Sequence, residues 1–556
     1  MKLPIGVSDF KKIREGGYYF VDKSLLTKDI ANDDAEVMLI TRPRRFGKTL
    51  NMSMLYYYFN NIAPEHNLFN DLLISKEVSF ASEHYHQYPV IFISLKDVKA
   101  KGHNDTLEML AFIMAETYRE YKSKDLFNLL DTDEIQMAHR VIEKKATITE
   151  LKTSLTKLTE FLYRIYNKKV IVLIDEYDTP VHASYNNKYY DDFIDFYKTF
   201  LGTALKGNKY LHKAVITGIT RVAQASIFSD LNNFKVYSVL DKKYGEYFGF
   251  TENEVKSLLT LSNTKDYAND IKAWYNGYQI QNHILYNPWS ILNCLSDDIS
   301  LKPYWVNTSD NALIKNLIST SKSSIKEVIG KLLQGETVEQ PIAESLVFKD
   351  LERNEEAIWS LLLYSGYLTV SKSERKDWLL MANLAIPNKE IMFVYDQIIS
   401  SWFSDISSLK TYKLFIKSLI TGDLDTFENM LSDYVCSAGS YFDFNINTKE
   451  QVFHSLILGL VLGLRDNYVI NSNNESGYGR YDVVLIPKDK KNKGVIIELK
   501  TTKRESDLSM AAKEALKQIE NKQYATLFKE EKINEVLFIG IAFCGKKLKL
   551  MHLTNY

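Results

Sequence analysis

Cysteine is scarce: Cys294, Cys436 and Cys544 are the three in 556 residues, far apart and without a partner at zinc-ligand or C-x-x-C spacing. That excludes a disulfide framework and a cysteine-based metal site, and the expectation is buried structural thiols in a reducing compartment. Long apolar runs are missing too. The greasiest stretch, Leu456 to Leu464, falls short of the ~18 residues needed to cross a bilayer. The start, Met1-Lys2-Leu3-Pro4, lacks the apolar core of a signal peptide. The expectation is a cytoplasmic protein with no membrane partner. Charge is nearly balanced, at a net of -1, which excludes attraction of the whole surface to nucleic acid and leaves only a local basic groove for any DNA contact. There is no internal repeat and no low-complexity tract.

What is present is ordinary globular material, with 45% hydrophobic and 25% charged residues. The length exceeds the ~250 to 300 residues one core usually serves, so two or more domains are expected. Short apolar runs rich in β-branched residues lie at 37 to 41, 90 to 95, 169 to 174 and 214 to 217, separated by stretches with helical spacing. That alternation predicts an α/β domain with a parallel sheet over 1–250. Thr251 with Glu254 forms a capping box, and helical patterns then run to about 435. They predict a helical lid over 251–340 and a helical connector over 341–439, although no proline- or glycine-rich linker marks the boundary. Residues 440–556 predict a second α/β domain. Its helix spans about 449 to 464 and its strands lie near 468 to 471, 480 to 487 and 494 to 499. A helix over 508 to 521 and strands near 534 to 542 and 547 to 553 complete it.

The segment Arg42-Pro43-Arg44-Arg45-Phe46-Gly47-Lys48-Thr49 follows the first strand and opens a helical run. Backbone N–H groups at such a helix start can hold phosphate oxygens. Arg44, Arg45, Phe46 and Gly47 would line the loop, Lys48 would reach the β- and γ-phosphates, and Thr49 would ligate Mg²⁺. The usual pattern begins with glycine, where this chain has Arg42. A second element supports the site: the apolar strand to Ile174 ends in Asp175-Glu176. Asp175 is suited to the Mg²⁺ shell and Glu176 to orienting or deprotonating the attacking water. Thr217 or Thr220, near the tip of the next strand, are candidate γ-phosphate sensors, and Arg221 a candidate for stabilising leaving-group charge.

These pieces, with Ile5-Gly6-Val7-Ser8-Asp9-Phe10, Tyr19-Phe20-Val21-Asp22-Lys23, Ser229 to Asn233, Tyr247 to Thr251, Trp274 to Tyr278 and Tyr286 to Ser290, resemble the prokaryotic AAA-ATPase-like family over roughly residues 3 to 310. In that family arginine is usual at the first loop position. The resemblance implies a P-loop ATPase fold and ATP as ligand.

Towards the C-terminus, one strand carries Asp482 near its start and another ends Glu498-Leu499-Lys500. Two residues apart, Glu498 and Lys500 share a face. Carboxylates that hold Mg²⁺ and a lysine that positions the nucleophile are what phosphodiester cleavage calls for. Glu450 could add a carboxylate, Gln518 could orient water or phosphate, and Tyr524 could pack or bond nearby. With Glu475 to Asp482 and Ala515 to Ile519, this set resembles the PD-(D/E)XK superfamily over about 440 to 550, in the branch that follows AAA-ATPase-like domains. The proline of the motif's name is Tyr481 here. His454 reads as a helix-packing residue, and Arg480 as a phosphate contact or a partner of Glu475. Basic clusters at Lys500 to Arg504 and Lys546 to Lys549 are modest phosphate-contact candidates.

Together the motifs predict ATP binding and hydrolysis coupled to Mg²⁺-dependent cleavage of nucleic acid, expected to be DNA, with Mn²⁺ an alternative ion, in defence or mobile-element maintenance. The contrasting class is a nucleotide-dependent switch or scaffold that binds a protein or nucleic-acid partner without cleaving it. Oligomeric state is left open.

Overall fold

The computed structural model describes the chain except residues 63, 66, 123–128, 223–233, 306–313, 315–316, 319–322, 334, 352–353, 405–408, 443–449, 462–463, 465–466, 473–474, 477–478, 481, 522–527, 529–530, 532 and 556. It falls into two units, Met1–Ser309 with Glu339–Glu390, and Asp310–Val338 with Ile391–Tyr556.

In the first unit, β1 (Val37–Thr41), β2 (Val90–Ser94), β3 (Val170–Asp175), β4 (Leu211–Gly218) and β5 (Phe234–Tyr237) form a parallel sheet in the order β2-β3-β4-β1-β5. Every residue of β1 and β3 is buried. A strand buried on both faces has no polar alternation, and so it reads as an unbroken apolar run. The four expected strands are all present. The fifth, Phe-Lys-Val-Tyr, is a short edge strand with a lysine in its middle and carries no such signature. Because β4 lies between β1 and β3, its C-terminal end is flanked by the loop leaving β1 and the acids ending β3.

The capping box at Thr251 forms as expected: Glu254 N–H donates to Thr251 Oγ1 at 3.4 Å, and Thr251 N–H to Glu254 Oε2 at 2.7 Å. The helical expectation for 251–340 and 341–439 needs correction. Strands β6 (Phe250–Thr251), β7 (Tyr278–Ile280) and β8 (His283–Tyr286) make one small antiparallel sheet, while β9 (Val338–Ile342), β10 (Thr369–Lys376) and β11 (Leu379–Ala385) make another. Both contain hairpins turned by a non-glycine residue of positive φ, Gln281 at 49° and Asp377 at 55°. No Asn-Gly or Asp-Gly pair announces them. In β10, Thr-Val-Ser-Lys-Ser-Glu-Arg-Lys, one residue is buried, so the period-2 pattern is absent.

The second unit contains the helices Ser323–Leu333, Leu409–Thr421, Leu424–Phe442 and Glu450–Val461. It also holds a five-stranded sheet, β12 (Tyr468–Ser472), β15 (Val483–Pro487), β16 (Gly494–Thr501), β17 (Val536–Cys544) and β18 (Lys547–Asn555), in the order β12-β15-β16-β17-β18. A separate two-residue ribbon pairs β13 (Glu475–Ser476) with β14 (Gly479–Arg480). The element order matches the sequence expectation. Among the described residues no helix is long and apolar enough to cross a membrane. Cys294 and Cys544 are buried as expected, but Cys436 is exposed on its helix, with its Sγ 3.7 Å from the Lys546 carbonyl oxygen.

Candidate nucleotide and nuclease sites

The loop leaving β1 is held by its own first residue. Arg42 is fully buried and donates to the carbonyl oxygens of Thr41 at 2.7 Å, Tyr237 at 2.9 Å and Lys243 at 3.4 Å. Its guanidinium lies 5.4 Å from the Phe248 ring centre. Burial lowers its pKa to about 10, opposed by the charge of Asp241, so it stays a cation. Where other loops use glycine for freedom, this chain pins the loop to the end of β5. The turn is then completed by two left-handed residues, Arg45 (φ 66°) and Gly47 (φ 81°), the latter capping the helix Lys48–Phe59.

Phe46 is buried, with its ring edge-on to Tyr278 at 5.0 Å. The Arg45 guanidinium lies 4.3 Å from the Trp289 ring centre. The Arg44 carbonyl accepts from Trp305 Nε1 at 3.3 Å and Asn287 Nδ2 at 3.5 Å. Sequence reasoning missed these two anchors, and no local pattern marks a tryptophan that reaches a carbonyl 261 positions away.

At the neighbouring strand ends, Asp175 accepts from Thr49 Oγ1 at 2.7 Å and from Thr217 Oγ1 at 2.6 Å, one on each carboxylate oxygen. Burial and the adjoining Glu176 charge push the Asp175 pKa up, while the two hydroxyls and Lys48 oppose this. Lys48 is almost wholly buried. Its ammonium donates to the carbonyls of Arg42 at 3.2 Å and Pro43 at 3.1 Å and pairs with Glu176 at 3.3 Å. Glu176 has a φ of 55°, a conformation costly for a non-glycine residue and found where a site dictates the backbone. Thr220 is buried away from this group, bonded to Asp178. Arg221 follows it, and its Nε has no hydrogen-bond partner among the described residues.

In the second unit Val483 of β15 pairs with Ile497 of β16, and continuing that antiparallel register by one residue sets Asp482 opposite Glu498. The Leu499 N–H donates to Asp482 Oδ2 at 2.7 Å, which ties the two strand ends together. Glu498 is buried and accepts from Gln518 Nε2. Gln518 reaches it because Gly540, the residue beside Glu498 on β17, has no side chain: a Cβ there would lie 2.4 Å from the Ala512 carbonyl and 2.7 Å from the Leu516 nitrogen of the covering helix Leu508–Asn521. Gly540 is another residue the sequence reading missed.

Burial raises the Glu450 pKa, the Asp482 charge adds to this, and Lys500 and His454 oppose it. His454 does more than pack, since its Nε2 lies 2.9 Å from the Asp482 carbonyl and ties the helix Glu450–Val461 to that acid. Of the second basic cluster, Lys547 pairs with Glu505 at 2.6 Å and Lys549 with Glu428 at 2.9 Å. Tyr481, Tyr524 and the Ser229 to Asn233 block lie outside the described residues.

Residues 4–228 match the family model described as predicted AAA-ATPase, and residues 448–553 match the PD-(D/E)XK nuclease superfamily. The chain therefore carries an AAA-ATPase-like domain and, C-terminal to it, a domain of the PD-(D/E)XK nuclease superfamily. An uncharacterized protein in the vnfD 5′ region of Azotobacter chroococcum mcd 1 is 26% identical over 392 residues, covering 70% of this chain and 68% of that protein. The Walker-type ATPase PABY2304 of Pyrococcus abyssi aligns over 68% of this chain and 97% of its own at 11% identity, with a TM-score of 0.34, a likeness too loose to place residues.

Proposed function

We propose that the first unit binds and hydrolyses ATP, and that its nucleotide state governs cleavage of DNA by the second. The observation that carries the first half is the meeting of Lys48 and Thr49 with Asp175, Glu176 and Thr217 at the C-terminal edge of a parallel sheet, where α/β folds bind ligands. Lys48 would exchange Glu176 and its own loop carbonyls for the β- and γ-phosphates, and Glu176, once released, would orient the attacking water. Thr217 and Arg221 would face the γ-phosphate. The second half rests on Asp482, Glu498 and Gln518, joined across two strands and one helix, with Lys500 two residues beyond Glu498 on the same strand.

The donors at both places are oxygens, which suit Mg²⁺ or Mn²⁺: Thr49 and Asp175 in one, and Asp482 and Glu498 in the other, where Glu450 feels the Asp482 charge but does not complete a trio of ligands as the side chains stand. Among the described residues no three His, Cys, Asp or Glu side chains stand close enough to hold an ion by themselves, so it would keep much of its water shell, as Mg²⁺ commonly does. A bound ion would supply Lewis-acid stabilisation of phosphoryl oxygens and acidify a water.

That same observation favours a second reading, in which the second unit grips nucleic acid or a protein partner without cutting and the chain is a nucleotide-dependent switch or scaffold. Plasmid and single-stranded DNA cleavage in Mg²⁺ or Mn²⁺ separates the two. Nicking abolished by Glu498→Ala and Lys500→Ala supports the nuclease. Absence of nicking, with ATP-dependent partner capture retained, supports the switch.

A further inference from the structure

Beyond Asp175 and Glu176 the chain continues into Tyr177 and Asp178, and both are entirely buried. Asp178 Oδ2 accepts from the backbone N–H groups of Ile219 at 2.9 Å and Thr220 at 2.8 Å, and from Thr220 Oγ1 at 2.9 Å. His182, one helical turn on, brings Nε2 to 3.4 Å from the same oxygen and 3.3 Å from Thr220 Oγ1. Tyr177 makes three more hydrogen bonds around the same turn. Its N–H donates to the Thr217 carbonyl at 3.0 Å, and its hydroxyl donates to the Thr220 carbonyl at 2.8 Å while accepting from Val222 N–H at 3.0 Å. Gly218 allows this approach, because a Cβ there would lie 2.7 Å from both Asp178 Oδ1 and the Tyr177 ring. On the far side of the turn, the Arg221 carbonyl accepts from Leu346 N–H at 2.8 Å.

A buried carboxylate is a costly way to hold a turn that apolar packing could hold. What the charge adds is direction, since three donors converge on one oxygen and fix the orientation of 219 and 220. Thr217 precedes that turn and Arg221 follows it. Burial works against the Asp178 charge, but His182 and the two amides prevail and hold the carboxyl below the usual carboxylate range.

We infer that Asp178, braced by His182, is a positioning residue that locks the Gly218–Thr220 turn to the end of the acidic strand and so sets Thr217 and Arg221 against the γ-phosphate. This rests on the ATP-site reading above. It implies that Asp178 matters for sensing the third phosphate and little for holding the first two, which the β1 loop and Lys48 would hold. The test is equilibrium binding of ATP and of ADP, each with Mg²⁺, to the full chain, to Asp178→Asn and to Thr220→Val, with thermal melting of each. Loss of a charged hydrogen-bond set should weaken ATP roughly tenfold in Asp178→Asn and less in Thr220→Val, with ADP changed by less than about twofold. If Asp178→Asn does not fold, the ATP-to-ADP ratio in Thr220→Val decides. Equal loss of ATP and ADP, or an unchanged ratio in the folded variants, overturns the inference. Failure of the unaltered chain to bind ATP at all would instead strike the reading of the site itself.

Discussion

Thr49 and Asp175, 126 positions apart in the chain, meet through a 2.7 Å hydrogen bond at the C-terminal edge of the parallel sheet. One is the last residue of the loop motif and the other the last residue of β3. Thr49→Val keeps the shape and removes the hydroxyl. If both residues serve one divalent ion, the change should lower ATP turnover by about a hundredfold, in proportion to the lost Lewis-acid stabilisation. The melting temperature should stay within a few degrees. Steady-state phosphate release together with a melting curve checks both.

Arg42 is the position at which the loop departs from the commoner glycine. Since it satisfies three carbonyls from its buried position, Arg42→Gly should destabilise the protein by about 2 to 3 kcal/mol and weaken ATP binding. Denaturant unfolding of the two proteins measures the first effect and nucleotide titration the second. A variant as stable as the parent would refute the anchoring role.

Glu390 is buried against Ser290 Oγ, at 2.8 and 3.0 Å, and Trp305 N–H, at 2.8 Å. Burial raises its pKa to about 7, against the pull of those donors. An acid whose pKa is higher in the folded state than in the unfolded chain stabilises the fold while protonated. Its contribution is complete below the unfolded pKa and is lost as pH rises through the folded value. Glu390→Gln should therefore match the parent most closely near pH 5. It should gain relative stability of about 2 kcal/mol by pH 8. Urea unfolding at the two pH values reads the difference, and a constant offset would contradict it.

Gly540 lets the helix Leu508–Asn521 lie against β17 closely enough for Gln518 to reach Glu498. Gly540→Ala places a methyl group into that helix's backbone and should cost about 1 to 3 kcal/mol. DNA nicking should fall by more than the loss of folded protein explains, because Gln518 is moved off Glu498. Activity per folded molecule, with folding followed by circular dichroism, is the quantity to compare.

Much of this was legible in the sequence where local pattern and structure obey the same rule. The apolar strands β1 to β4 show it, as do the Thr251 capping box and the spacing that puts Glu498 and Lys500 on one face. What was not legible depends on distant partners or on side chains that are missing. Trp305 reaches the β1 loop only through the fold, Asp178 looks like one more acid after a strand, and Gly540 is recognisable only once a helix lies over it. The hairpins of 278–286 and 369–385 escaped notice because their strands are short or largely polar and their turns lack glycine. Cys436 was expected inside, and a lone cysteine on an amphipathic helix gives no sign of which face it occupies.

The most direct test is cleavage of supercoiled plasmid in Mg²⁺ by the full chain, with and without ATP, beside Lys48→Ala and Glu498→Ala. Nicking that responds to ATP in the parent, loses that response in Lys48→Ala and disappears in Glu498→Ala is the predicted result. Nicking that survives Glu498→Ala, or that ignores both ATP and Lys48, would contradict a nuclease governed by a nucleotide.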